Sequence, residues 1–297
     1  VPTRRPRPPA LPAGRRGAAV VAVALLAVLT AAVTGLVLGG DGGQPATGAP
    51  PAAGSGAPPP AAVPTPADPP RASDVAAGPT GTPAAELLEW AGRELPPGTR
   101  LRPTDGARGD LLAAGATDDL LGATAPTGPG DLVLTVTDGR PPPGARVVAA
   151  FDGLTLVDPS PGTPTPEQLG MREALAQAVL ANPTTRTTGE AAAVLGAADV
   201  DMRLLSLLAV LTAQDGIGLG ALPRAEGSGG PARSALLTSV GGAPVGAGQP
   251  ATERLRTWLD AQLPPFAPDR VEVTDDGVRV SHRYASDPDA LVADASS

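Results

Sequence analysis

Twenty-two consecutive residues without a charge, Gly17 to Leu38, decide more about this chain than any other stretch of it. They read GAAVVAVALLAVLTAAVTGLVL, broken only by Thr30, Thr34 and two glycines. At 1.5 Å per helical residue the run spans about 33 Å, enough for a hydrocarbon core of about 30 Å. Arg4, Arg5, Arg7, Arg15 and Arg16 precede it, and Asp41 is the first charge after it. Cationic flanks stay in the cytoplasm, so the pattern predicts a basic tail over 1–16, a transmembrane helix over 17–38 and an exterior location for everything past residue 40. A cleaved signal peptide, with an apolar region from Ala18 to Leu29 and cleavage near Ala32, is the rival expectation. The run continues to Leu38, longer than a signal peptide needs, which favours the uncleaved anchor. Either way the remainder is extracytoplasmic.

The next stretch, 39–83, includes DGGQPATGAPPAAGSGAPPPAAVPTPADPP and lacks large apolar residues. Nothing in it can offset the entropy of ordering a chain, so it is expected to be a disordered spacer. As a flexible coil its 43 residues from Asp41 would average roughly 35–40 Å end to end, more where proline stiffens it. A Pro-rich ligand for a recognition module is the lesser alternative.

Charge divides the chain in the same place. The first 16 residues hold five Arg and no acid, leaving 17 Arg against 30 acids beyond them. An acidic exterior portion repels phosphates, so no nucleic-acid partner is expected. Every basic residue is Arg, a usage associated with GC-rich, actinobacterial genomes. The absence of cysteine excludes disulfides, thiolate chemistry and a lipid-modified cysteine.

Hydrophobic periodicity begins at TPAAELLEWAGREL, where Thr82 can cap a helix, Pro83 suits its first turn and Glu86 completes a capping box. A strand over 99–104, a helix over 107–115 ended by Gly115, a strand over 131–139 and two strands over 145–158 turning at Asp152-Gly153 follow. This alternation predicts a small α/β lobe over 84–158. Beyond the loop PSPGTPTP, a second lobe is expected over 166–284. It opens with an amphipathic helix over 166–182. A helix from Asp201 to Gln214, apolar almost all round, should be its central core element. A strand into a glycine turn over 232–245, a helix over 250–263 and a hairpin turning at Asp276-Gly277 complete it, with 285–297 left as a C-terminal tail.

Few residues offer chemistry. His282 is the only histidine and Tyr284 the only tyrosine. In the last hairpin Val278, Val280, His282 and Tyr284 share one parity, and Arg279, Ser281 and Arg283 share the other. His282 therefore continues a valine row, as a half-buried core histidine would. Asp199 and Asp201 in the DVD sequence imitate a metal–nucleotide pair, but they stand where the strongest helix needs an N-cap. The segments 216–220 (GIGLG) and 227–230 (GSGG) are glycine-rich, yet neither lies between a strand and a helix as a phosphate loop must. Asp118-Asp119 and Asp275-Asp276 read as a turn and a helix end. One histidine and no cysteine make a poor zinc site, with His282 its one candidate ligand, and no cofactor is implied.

The order VLANP, GAADVDMRLLSLLAVLTAQ, a glycine-rich loop and ARSALLTSVGGAPV over about 166–284 resembles the hedgehog-like D-alanyl-D-alanine carboxypeptidase family of zinc peptidases, in their actinobacterial envelope relatives. The resemblance implies a related fold. It places Gly229 where the first ligand histidine would be, Leu236 where the ligand aspartate would be, and His282 about where the last ligand histidine lies: a peptidase fold without its metal. Residues 84–158, through ELPPGTRLRPTD, are faintly similar to the soluble domains of actinobacterial membrane glycosyltransferases, a likeness that carries no functional residue.

The expectation is thus a membrane-anchored chain with a spacer and two extracytoplasmic mixed α/β lobes (α+β or α/β), acting as a non-catalytic binding or scaffold module. The partners expected are the lipid bilayer through 17–38 and an envelope protein or peptidoglycan. The competing expectation is a cell-wall peptidase or hydrolase with an atypical site around His282.

Overall fold

A computed structural model describes residues 81–122 and 132–296. The expected basic tail, the anchor over 17–38 and all but the last residues of the spacer lie outside them. Among the described residues no helix is long and apolar enough to cross a membrane.

Thr82 caps the first helix, α1 (Pro83–Glu94), by accepting from the Ala85 amide at 3.3 Å. Glu86 stands one position past the place where a capping box would put its acid. That box occurs instead at the helix beginning at Pro166, where Thr165 and Gln168 bond reciprocally. The apolar stripe of α1 buries Leu87 and Trp90. β1 (Arg100–Pro103) leads through α2 (Asp105–Ala113) to β2 (Val133–Thr137), which runs parallel to β1 with Arg100 opposite Val133. β3 (Arg146–Phe151) and β4 (Leu154–Asp158) form the hairpin expected at Asp152-Gly153, and the four-stranded sheet has the order β1-β2-β4-β3. Leu101, Leu134, Val136 and Leu156 project from it into a core shared with α1 and α2.

The second lobe has its own core. α3 (Pro166–Ala181) buries only its second half, through Leu175, Ala176 and Val179. In its first half Leu169 and Met171 remain 44% and 38% exposed, so the helix is less amphipathic than expected. β5 (Arg186–Thr187) and α4 (Gly189–Gly196) precede α5 (Met202–Gln214), which is buried at every position from Met202 to Thr212. That is the central element its composition predicts. Behind it lie β6 (Ile217–Ala221), β7 (Ser234–Val240), the short β8 (Ala243–Pro244), α6 (Pro250–Asp260), β9 (Arg270–Thr274) and β10 (Gly277–Ser281). The sheet order is β5-β6-β7-β10-β9, with β8 beside β7. All of GIGLG but Gly216 thus belongs to strand β6, inside a sheet.

Two details differ from expectation. The final hairpin turns at Asp275-Asp276, one residue early, because Gly277 belongs to β10 opposite Thr274. Its φ of +153° and its contact with the Leu237 carbonyl leave no room for a Cβ there. The expected tail over 285–297 contains a helix, α7 (Pro288–Ala295). Asp287 caps it by accepting from the Ala290 amide at 2.9 Å, and Val292 joins the core beneath α5. Eight residues with one buried valine carry too weak a periodicity to announce it.

Candidate functional site at the seam of the two lobes

β10 pairs with β7 in a register that sets Val278 opposite Leu237 and Val280 opposite Ala235, all four buried against α5. One step further the His282 amide donates to the Arg233 carbonyl at 2.9 Å. Residues alternate across a strand, so His282 follows the valines into the interior, where it is 2% exposed. Neither ring nitrogen has a hydrogen-bond partner among the described residues. Burial pushes its pKa down to about 4, Arg203 adds to the drop, and Asp201 and Asp269 pull the other way.

Arg203 and Asp201 are already committed to each other. Asp201 caps α5 by accepting from the Arg203 amide at 3.0 Å, and its carboxylate also takes the guanidinium through Nε at 3.0 Å and Nη2 at 2.8 Å. Burial works to raise the Asp201 carboxyl, but the charge and hydrogen bonds of Arg203 outweigh it and hold the group below the usual range. The remaining reach of Arg203 goes to the Arg283 carbonyl, 2.7 Å away. Asp289 of α7 pairs with Arg172 of α3; burial holds its carboxyl above the ordinary value against that pairing. Asp201 therefore caps, as its place before α5 foretold, and Asp199 pairs with Arg224 near the surface.

Tyr284 departs from the parity expectation. β10 ends at Ser281, and the chain crosses to the first lobe, where the Tyr284 amide donates to the Glu94 carbonyl at 2.7 Å and the ring joins the core of that lobe. Its hydroxyl donates to Asp158 Oδ2 at 2.8 Å, and Ser286 Oγ donates to the same oxygen. Burial, reinforced by Asp158, drives the phenol pKa upward. Arg146 of β3 reaches the carbonyls of Ser286 at 3.0 Å and Gly162 at 2.6 Å.

The second lobe answers through Arg233. Its guanidinium pairs with Glu94 of α1 at 3.0 Å and lies over two rings, 5.9 Å from the centre of Trp90 and 5.5 Å from that of Tyr284. Trp90 donates from Nε1 to Ser228 Oγ at 3.0 Å and meets Phe151 edge to face at 6.2 Å. The GSGG loop runs beside β3 like a short extra strand: the Ala150 amide donates to the Gly227 carbonyl at 2.9 Å, and the Gly229 amide to the Val148 carbonyl at 2.8 Å. A Cβ at Gly229 would sit 2.5 Å from the Val147 carbonyl oxygen, so this glycine is what lets the two backbones meet.

Sequence reasoning missed Arg233, Glu94, Trp90 and Asp158. Their partners lie 126 to 139 residues away, and no local pattern reports such a pairing. The scarcity of aromatics was the available signal, because in a chain with two Trp, two Phe and one Tyr three of them converge here. Gly229 and Leu236 do not join His282 at one centre. Gly229 is bonded to β3, and Leu236, opposite Arg279, projects to the other face of the sheet. Asp118-Asp119 and Asp275-Asp276 both lie in turns, with Asp118 paired to Arg108 at 3.1 Å. Among the described residues no group of three His, Cys, Asp or Glu is placed to hold a metal ion.

Beside the seam an open groove of about 660 Å³ follows the outer face of α1. Ala85, Leu88, Gly92 and Leu95 form its floor, the loops at 96–99 and 114–117 its sides, and Arg283 its one contribution from the second lobe.

No protein-family model, curated protein or solved structure matches this chain.

Proposed function

We propose that this chain is a single-pass membrane protein of the cell envelope whose two lobes bind rather than catalyse outside the membrane. On this reading the N-terminus is cytoplasmic, 17–38 is the anchor and 39–83 a disordered spacer that holds the lobes away from the bilayer. An envelope protein or peptidoglycan is the partner. The observation that supports it is the sealing of His282. The one imidazole of the chain is 2% exposed, and the neighbouring Asp201 and Arg203 are spent on each other and on the backbone, whereas a general base must reach the proton it abstracts. The likeness to zinc peptidases then describes ancestry of fold, with no side chain possible at position 229 without moving β3.

Two experiments test the reading. The purified chain should contain no stoichiometric zinc, and its melting should not change with a chelator. Stoichiometric zinc lost together with stability would make His282 a ligand and overturn the non-catalytic reading. A reporter that is active only outside the membrane, fused after residue 296, should be active in cells, and should lose activity when Leu25 and Leu26 are both replaced by Arg. An active reporter in that double variant would refute the anchor.

A further inference from the structure

The backbone of Arg283 is held from both sides: its amide donates to Asp269 Oδ2 at 2.8 Å and its carbonyl accepts from Arg203 at 2.7 Å. Its guanidinium, by contrast, makes no ion pair or hydrogen bond among the described residues, and Arg283 is one of the residues that line the groove along α1. The only acid in that groove, Glu89, is taken by Arg93 at 2.8 Å. Arg100, Arg102, Arg140 and Arg254 likewise have no side-chain partner among the described residues, but Arg283 alone of these lines this groove, whose wall is otherwise small and apolar side chains with Glu89, Thr99 and Thr117 among them.

Gly92 adds a second observation. It lies within α1, exposed, and a Cβ placed on it meets nothing within 4 Å. Glycine weakens a helix interior relative to alanine, and no neighbour in the fold requires it here. It keeps the floor of the groove low at its centre.

We propose that the groove receives an extended peptide segment ending in a free carboxylate, which Arg283 pairs. The inference rests on the reading of the chain as a binding module. Arg and carboxylate match as a two-pronged pair. The floor from Ala85 to Leu95 is about 15 Å long at helical rise, the length of four to five extended residues. One cation in a groove that also holds the Glu89 carboxylate does not suit a polyanion, and Leu88 with the flanking alanines gives small side chains an apolar bed.

The test uses the full chain in nanodiscs and fluorescein-labelled Ser-Ala-Val-Ala-Leu, once with a free carboxylate and once as the amide, read by anisotropy. The acid should bind at least tenfold more tightly than the amide. Arg283→Gln should bring the acid down to the level of the amide, and Gly92→Leu, which fills the trough, should abolish both. If Gly92→Leu unfolds the lobe, Ala85→Met fills the same trough from its edge. Equal binding of acid and amide by the parent, or acid binding untouched by Arg283→Gln, would overturn the proposal. Chromatography of the peptide afterwards separates the two claims. Intact peptide that fails to bind overturns the groove assignment alone, and cleaved peptide overturns the non-catalytic reading beneath it.

Discussion

Lowering the pH from 7 to 4 will destabilise this protein through His282, and a phenylalanine in its place will remove most of that effect. The folded-state pKa is about 4 and the ordinary value 6.5. Between those values the unfolded chain binds a proton that the folded chain refuses, so stability falls as the pH drops through the window and levels off below it. The difference corresponds to roughly 3 kcal/mol, a loss of about 6–12 °C in melting temperature for a protein of this size. Asp289, raised by burial, works in the opposite direction, while Asp201, held low by Arg203, adds a loss of the same sign at the acid end, so His282→Phe should leave only a shallow slope. At pH 7 the substitution should be neutral or stabilising, because it replaces two unbonded ring nitrogens with a ring of similar shape. Thermal melts at half-unit pH steps would decide it. If parent and variant fall in parallel, His282 is not the group responsible.

Arg233→Ala should cost more and change the form of unfolding. It leaves Glu94 without its partner and strips a cation from two rings. Removing one member of a largely buried ion pair costs about 3–5 kcal/mol, and each ring contact adds about 1 kcal/mol where it is desolvated. The two cores are distinct clusters, joined otherwise by Tyr284, the Trp90–Ser228 bond and the backbone bridges to β3, so the calorimetric transition should broaden and split as the seam loosens. Arg233→Lys keeps the charge but not the planar fork, and should fall between. A single transition within 2 °C of the parent would show that the seam depends on its backbone bridges and not on this side chain.

How far the sequence could be read follows from what each residue depends on. The hairpin of β9 and β10 was legible because alternation is a property of neighbours, and α5 because eleven consecutive buried positions need no partner to be recognised as interior. His282 could be placed on the valine face by parity alone. Tyr284 could not, since parity lapses where a strand ends, and the chain has crossed to the other lobe by Tyr284. The seam around Arg233 and Tyr284 was hidden for the same reason: Trp90, Glu94 and Asp158 are unremarkable in their own segments and acquire meaning only across more than a hundred residues. The glycines of GSGG carry no local pattern for their use, which is to let two backbones touch.

The placement of Tyr284 also sets an order of events. The ring belongs to the core built by residues 84–156, yet it is made more than a hundred residues later. A chain synthesised from its N-terminus must therefore keep the first lobe waiting, without the ring that completes its core, until residues 282–286 arrive. Truncation before Tyr284 would leave the earlier lobe unfinished, although every strand and helix of that lobe would be present.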